Sequence, residues 1–366
     1  MSALVGLTVV DVSGTISTGY CGKLFADYGA SVLNIEPDEG FPTRTLPPHT
    51  PTGGPGENSA LHAYLSTRKQ SIRRDALSPA QLSAILDTAD LIVDDGAPQL
   101  ALPDSISRMS ISWYGRSGPM AEFSGSDAQV YAMNGMLRGI GPIEGPPYIP
   151  TGHQGQIVGG TTAFIGAMGH ILSVELGQSQ PGEVLETSIL ESVMCFTDVG
   201  AISSFNTGLE SSRMGINRFP PTYPLGIFPC KDGWLGVTVL TPAPWHAFCD
   251  LLGMEDLSDV PLFQTSVGRL ENLDLIEPRF SEALLSHNSE ELFYRGQNAR
   301  VPLARVPTME ALFSVDQFEQ RNAFCTADLG HTQLTVPSNP FRLYKTPPSF
   351  GGSVALLGQD TAAYAT

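Results

Sequence analysis

Positive charge is scarce in this chain. Its 366 residues hold 20 Lys+Arg against 37 Asp+Glu, a formal net charge of −17. A nucleic-acid binder presents a basic face or stripe, and none is visible, so no nucleic-acid partner is expected. Any phosphate-bearing ligand has to be held locally, by a few Arg or Lys side chains or a helix N-terminus, against an unfavourable overall field. Cysteine is scarce as well. Cys21, Cys195, Cys230, Cys249 and Cys325 stand far apart, with no Cys-x-x-Cys and no Cys/His cluster. That spacing offers neither a disulfide framework nor a metal ligand set, and it reads as reduced thiols in a cytoplasmic protein. No apolar run approaches the roughly 20 residues that cross a bilayer, and no charged-then-apolar leader is visible. The expectation is a cytoplasmic chain with no membrane association and no metal.

Glycine and proline, by contrast, are abundant at 38 and 29 residues, so loops are many and well defined. The first 37 residues read as strand 5–10, a small-residue turn, helix 18–29 ending at Gly29-Ala30, and strand 31–36. Parallel strands joined by a helix imply a right-handed crossover. Residues 40–58 are rich in Pro, Gly and Thr and read as irregular loop. Ser78-Pro79 starts a helix by a Ser cap with Pro in the first position. Leu91–Asp94 and Ser107–Trp113 read as strands, and Tyr114–Pro119 as a turn. Ser126-Asp127 caps a helix running to about Leu137, 138–155 reads as loop, and Gly159–Leu176 as a small-residue helix. Val184–Thr187 gives another strand. From about 215 the texture changes to a hairpin around Asp232-Gly233 with short helices after it. The expected class is α/β. Residues 1–195 form a large domain, 196–215 a linker, 216–310 a small α+β domain, and 311–366 return to the large domain.

These landmarks together resemble the class III coenzyme A-transferases, which include the formyl-CoA and carnitine-CoA transferases and the α-methylacyl-CoA racemases. The resemblance rests on Val10-Asp11-Val12-Ser13, Phe25 through Val32, Ile35-Glu36, Gly115-Arg116-Ser117-Gly118-Pro119, Ser126-Asp127 with Asn134-Gly135, Gly182 with Glu186, Ser188 and Glu191, Asp232-Gly233-Trp234, Asp316-Gln317 with Arg321, and Leu357 through Thr361. It implies a Rossmann-like large domain built from both chain ends and a small central domain. It also implies two protomers interlocked like chain links, with a homologous subunit or a second copy as partner. The implied substrate is coenzyme A or an acyl-CoA, with no covalently bound cofactor.

The resemblance further implies an Asp whose carboxylate attacks an acyl-CoA thioester, an oxygen nucleophile that can carry an acyl group and leave again. In the racemases an Asp and a His serve as an acid/base pair. The Asp position falls on Gln156, in Gly155-Gln156-Ile157, and the His position on Ser126. A primary amide has no anionic oxygen and cannot do either job. His153, three residues earlier, is a general-base candidate, though a lone loop His is more often a polar turn residue. The positions that would grip CoA are thinned too: Gly14 and Pro37 replace basic residues, and Asp95-Gly96-Ala97-Pro98 places acid near the phosphates. Arg44, Arg68 and Lys69 remain as CoA-binding candidates, the last two equally readable as a solvated loop. Asp27 and Glu36 read as structural. The function implied is the non-nucleophilic subunit of a heteromeric CoA-transferase, as in benzylsuccinate-type enzymes. Two alternatives stand beside it: a free-standing enzyme of altered or racemase-like chemistry on acyl-CoA or carrier thioesters, with Gln156 as an oxyanion donor, and a non-catalytic scaffold.

Overall fold

The computed structural model describes residues 1–208 and 213–365. The chain forms two compact units. One comprises Met1–Met136, Ile149–Glu210 and Val315–Thr366; the other comprises Leu137–Tyr148 and Ser211–Ser314.

The first unit is built on a six-stranded parallel sheet. Its strands are β1 (Thr8–Asp11), β2 (Ser31–Glu36), β3 (Gln70–Arg73), β4 (Leu91–Asp94), β5 (Arg108–Ser112) and β6 (Val184–Ser188), in the order β3-β2-β1-β4-β5-β6. Val9 pairs with Val32 on one side and Leu91 on the other. The order reverses at β1/β4, the switch point where open α/β sheets place ligands at the carboxyl ends of their strands. The central strands carry β-branched and Leu residues that are buried except for Thr8 at the start of β1, as a sheet covered on both faces requires. Helices α1 (Ile16–Asp27), α2 (Ala60–Ser66), α3 (Pro79–Leu86), α4 (Asp127–Met133), α5 (Gln154–Glu175), α6 (Ile189–Val193) and α7 (Asp198–Thr207) join and flank the strands. Thr15 caps α1 by accepting the Thr18 N–H, and Ser78 and Gln81 form a capping box on α3.

Helix α5 positions the site. A Cβ on Gly160 would stand 2.5 Å from the Ser17 carbonyl oxygen of α1, and one on Gly159 2.8 Å from Ile189 of α6. Glycine at these two positions lets α5 pack backbone-close on α1 and against α6. By length and composition alone α5 is apolar enough to cross a membrane, which an inspection of apolar runs does not show because its Gly, Thr and Ser dilute them. One stripe of it, Gly155 to His170, is buried in the unit, while Ile165 and Leu172 are exposed.

Helix α5 starts at Gln154, where the sequence reads as loop. Its N-terminus is satisfied by Asp127, a side chain from a different helix, so no local capping signal marks the start. For the same reason Ser126, read as a cap for α4, makes no side-chain capping bond. Asp127 faces away to α5 instead.

The last 50 residues return to this unit. Strands β10 (Phe324–Asp328), β11 (Gln333–Pro337) and β12 (Gly352–Ser353) make a small sheet after α13 (Asp316–Gln320). Beyond it, Leu357–Thr361 seals the open edge of β3. Asp360 Oδ2 accepts the Ser71 N–H at 2.8 Å, Thr361 Oγ1 accepts the Arg73 N–H at 2.9 Å, and Gly358 N–H donates to Ser71 Oγ at 2.9 Å. An unpaired strand edge is thereby covered by side-chain and main-chain groups of this segment.

In the second unit β7 (Leu225–Cys230), β8 (Gly233–Thr238) and β9 (Leu303–Arg305) form an antiparallel sheet. It is packed with α8 (Pro242–Leu252), α9 (Glu255–Ser258), α10 (Ser266–Glu271), α11 (Leu273–Leu285) and α12 (Ser289–Asn298) around Trp245, Phe248 and Phe280. The Asp-Gly turn joins β7 and β8. The fully buried Arg269 donates to the carbonyls of Tyr223, Phe263, Val239 and Leu240 at 2.7–3.1 Å and stacks on Trp245. The segment 137–148 belongs here too, because Arg213 donates to the carbonyls of Pro142 and Gly145.

Candidate active site around Gln156

Gln156 lies in the first turn of α5 and is 9% exposed. Its side-chain Nε2 donates to Asp127 Oδ2 at 2.8 Å, and its main-chain N–H donates to Asp127 Oδ1 at 3.2 Å. His153 sits one residue before the helix, 44% exposed. Its Nδ1 is 3.5 Å from Gln156 Nε2 and 3.8 Å from Asp127 Oδ2. Ser126 is exposed next to Asp127. The structure therefore brings Gln156, His153 and Asp127 together. By sequence Asp127 has a capping place only; in the fold its partner is 29 residues away in the chain.

The chemistry of this group follows from its donors. The amide offers N–H groups and a neutral oxygen but no anionic nucleophile. Asp127 is an oxygen nucleophile by type, yet each of its oxygens already accepts an N–H at the positive end of a 22-residue helix. Hydrogen bonds of this kind hold a carboxylate in place and weaken it as an attacking group.

The cationic candidates lie elsewhere in the same unit. Arg44 is 3% exposed. Its Nε and Nη2 bind the two Glu36 oxygens at 2.7 Å each, and Nη2 also reaches Ser71 Oγ and the Ala355 carbonyl at 3.3 Å. Lys69, read as a possible solvated loop residue, is 4% exposed, with Nζ donating to the Gly19 carbonyl at 2.8 Å. Arg68 is exposed, at φ 63°, with its N–H on the Ser353 carbonyl. Asp27 is buried between Lys23 at 3.0 Å and Asn339. Burial pulls the Lys69 ammonium from 10.5 down to about 8, with the nearby Asp11 carboxylate acting in the opposite sense.

That shift has a sign in stability. The folded pKa lies below the unfolded one, so between about pH 8 and 10.5 the unfolded chain holds the proton more tightly. Stability contributed by this group therefore rises with pH across that window. Lys69→Met is expected to abolish the rise, read as the difference in urea midpoint between the two chains at pH 7.5 and pH 9.5. Cys21, pushed up by burial, works the other way in both chains. An equally steep rise in the variant would contradict the assignment.

A crevice of about 340 Å³ opens at the carboxyl edge beside β1, β2 and β4, lined by Ser13, Thr15, Glu39, Phe41, Arg74 and Asp95 among others. In phosphate-binding turns of this type the N–H groups after β1 point at the ligand. Here Asp11 Oδ1 accepts the N–H of both Ser13 and Gly14 at 3.0 Å. Arg74 is paired with Asp75 at 3.1 Å. The turn is satisfied internally, and the crevice wall carries two carboxylates.

The model of CoA-transferase family III matches residues 4–361. The chain belongs to that family. It is 25% identical over 377 residues to a succinate–glutarate CoA-transferase of Agrobacterium fabrum, covering 95% of this chain and 93% of that protein. It is 27% identical to a probable CoA-transferase of Mycobacterium tuberculosis, covering 96% of this chain but only 46% of that longer protein. A CaiB/BaiF family protein from Brucella suis has the same fold, with TM-score 0.83 at 20% identity over 99% of this chain and 98% of the other. The mixed α/β architecture with its parallel sheet is thus that of family III.

Proposed function

We propose that this chain is the non-nucleophilic subunit of a heteromeric CoA-transferase that moves CoA between carboxylic acids, a homologous partner supplying the attacking Asp. The observation that carries this reading is the amide of Gln156, at the position to which the resemblance assigns the nucleophile, donating to Asp127 and leaving no free carboxylate there. Three further features support it. The β1–α1 turn spends its N–H groups on Asp11, and acid lines the crevice beside it, so this chain has little with which to hold CoA's phosphates. The M. tuberculosis relative is more than twice as long as the matched stretch, long enough for a second unit of this size. Large apolar side chains stand exposed at Ile165, Leu172, Ile202 and Phe205, surface of the kind a partner chain covers. The two subunits would interlock.

The test is co-expression with a homologous chain that has Asp aligned with Gln156, followed by native mass measurement and a CoA-exchange assay with succinyl-CoA and glutarate. The expected result is a mixed assembly whose exchange rate is at least 1,000-fold above that of this chain alone. A self-assembled form that exchanges CoA unaided would sink the proposal. It would favour the second reading, a free-standing enzyme of altered chemistry, for which the contact between Asp127 and Gln156 is the specific observation.

A further inference from the structure

At the amino edge of the six-stranded sheet, three side chains touch in series. Ser107 immediately precedes β5, Glu183 immediately precedes β6, and His170 projects from α5. Ser107 Oγ lies 2.8 Å from His170 Nε2. His170 Nδ1 lies 3.3 Å from Glu183 Oε2. Ser107 and His170 are buried, and the Glu183 side chain is 55% exposed.

Ser107 Oγ accepts the Gly182 N–H at 3.1 Å and is in hydrogen-bond contact with His170 Nε2, to which it donates when the ring proton sits on Nδ1. The Glu183 carboxylate, 3.3 Å from Nδ1 at ion-pair distance, favours the ring proton on that nitrogen. A hydroxyl that donates to one imidazole nitrogen, with a carboxylate beside the other, is the arrangement that turns serine into a nucleophile. Gly182 is fitted to its part. It sits at φ +92°, and a Cβ there would stand 2.5 Å from the Asp104 carbonyl oxygen, so only glycine brings this N–H to Ser107.

A cavity of about 210 Å³ is lined by Ser107 and His170, with Leu7, Ile106, Ile171 and Val174 among its walls. It is smaller than drug-sized sites and mostly apolar, so it suits a short acyl chain. Asp90 and Glu175 also line it, which disfavours an anionic ligand such as CoA itself.

We propose that Ser107, His170 and Glu183 form a second nucleophilic site, one that takes the acyl group from small neutral carboxylic esters. Ser107 Oγ bonds to the ester carbonyl carbon while its proton passes to His170 Nε2. The ester C–O bond then breaks, and the departing alcohol leaves with that proton. Water, giving a proton to His170 in turn, releases the acid and restores the serine hydroxyl. The site is independent of Gln156 and of any partner subunit.

The test uses the full wild-type chain. It is incubated with a fluorophosphonate probe, its modified peptide is identified by mass, and release of nitrophenol from p-nitrophenyl acetate is timed. The expected result is a covalent adduct on Ser107, with ester cleavage lost in Ser107→Ala. Glu183→Gln, a change at a half-exposed side chain, is expected to keep the thermal midpoint while slowing labelling on the order of 100-fold. A folded wild-type chain without an adduct on Ser107 overturns the proposal, and so does a labelling rate that His170→Gln and Glu183→Gln leave unchanged.

Discussion

Gln156→Asp is expected to lower stability by about 1–3 kcal/mol at neutral pH. The cost comes from Asp127. The wild-type amide donates to its Oδ2 at 2.8 Å, and the substitution replaces that donor with a second carboxylate close by. Two such groups at short range cannot both ionise without penalty. The introduced carboxylate therefore has its folded pKa raised above the unfolded value. The loss is present above that raised pKa and fades as pH falls through it. Urea midpoints at pH 7.5 and pH 4.5 should show the gap between the two chains closing at the lower pH. Adding Asp127→Asn should close it at pH 7.5 as well. A variant as stable as wild type at both pH values would mean that the two positions are uncoupled.

Arg44→Leu should have the larger effect on stability, a loss of about 3–5 kcal/mol, because it leaves Glu36 buried without its cation. The Glu36 carboxylate is fully buried, and the Arg44 guanidinium meets both of its oxygens at 2.7 Å. Ser71 Oγ and the Phe41 N–H would remain as donors, too few to balance a buried charge. Replacing both residues with Leu should recover much of the loss. The resemblance to CoA-binding relatives gives Arg44 a different duty, and the two are separable. A CoA-contacting Arg44 would, when replaced, weaken CoA binding with little change in the urea midpoint.

The parallel βαβ core was legible because its signals are local. Val and Ile runs, the Gly29 stop and the Ser78-Pro79 cap each lie within a few residues of what they specify, although α1 begins at Ile16, two residues before the start read from the sequence. The start of α5 was not legible, since its cap comes from Asp127 on another helix. The same separation hid the contact between Asp127 and Gln156. Lys69 illustrates a second difficulty. Between a helix end and a strand, a Lys next to an Arg reads as solvated, yet β3 turns Lys69 inward under α1 while Arg68, at positive φ, stays out. Ser107, His170 and Glu183 are separated by 63 and 13 residues, and only the pairing of β5 with β6 under α5 brings them together. The closing motif Leu357–Thr361 was recognisable as a motif, and its physical task, sealing the β3 edge, emerges only from the hydrogen bonds it makes.

The central claim is that the acyl group never resides on this chain during CoA exchange. Its most direct test is intact-mass and peptide-mass analysis of the assembly quenched during turnover with succinyl-CoA. The account requires the acyl mass on the partner's aspartate and an unmodified peptide around residues 120–160 of this chain. An acyl group found on Asp127, in the assembly or in this chain alone, would contradict it.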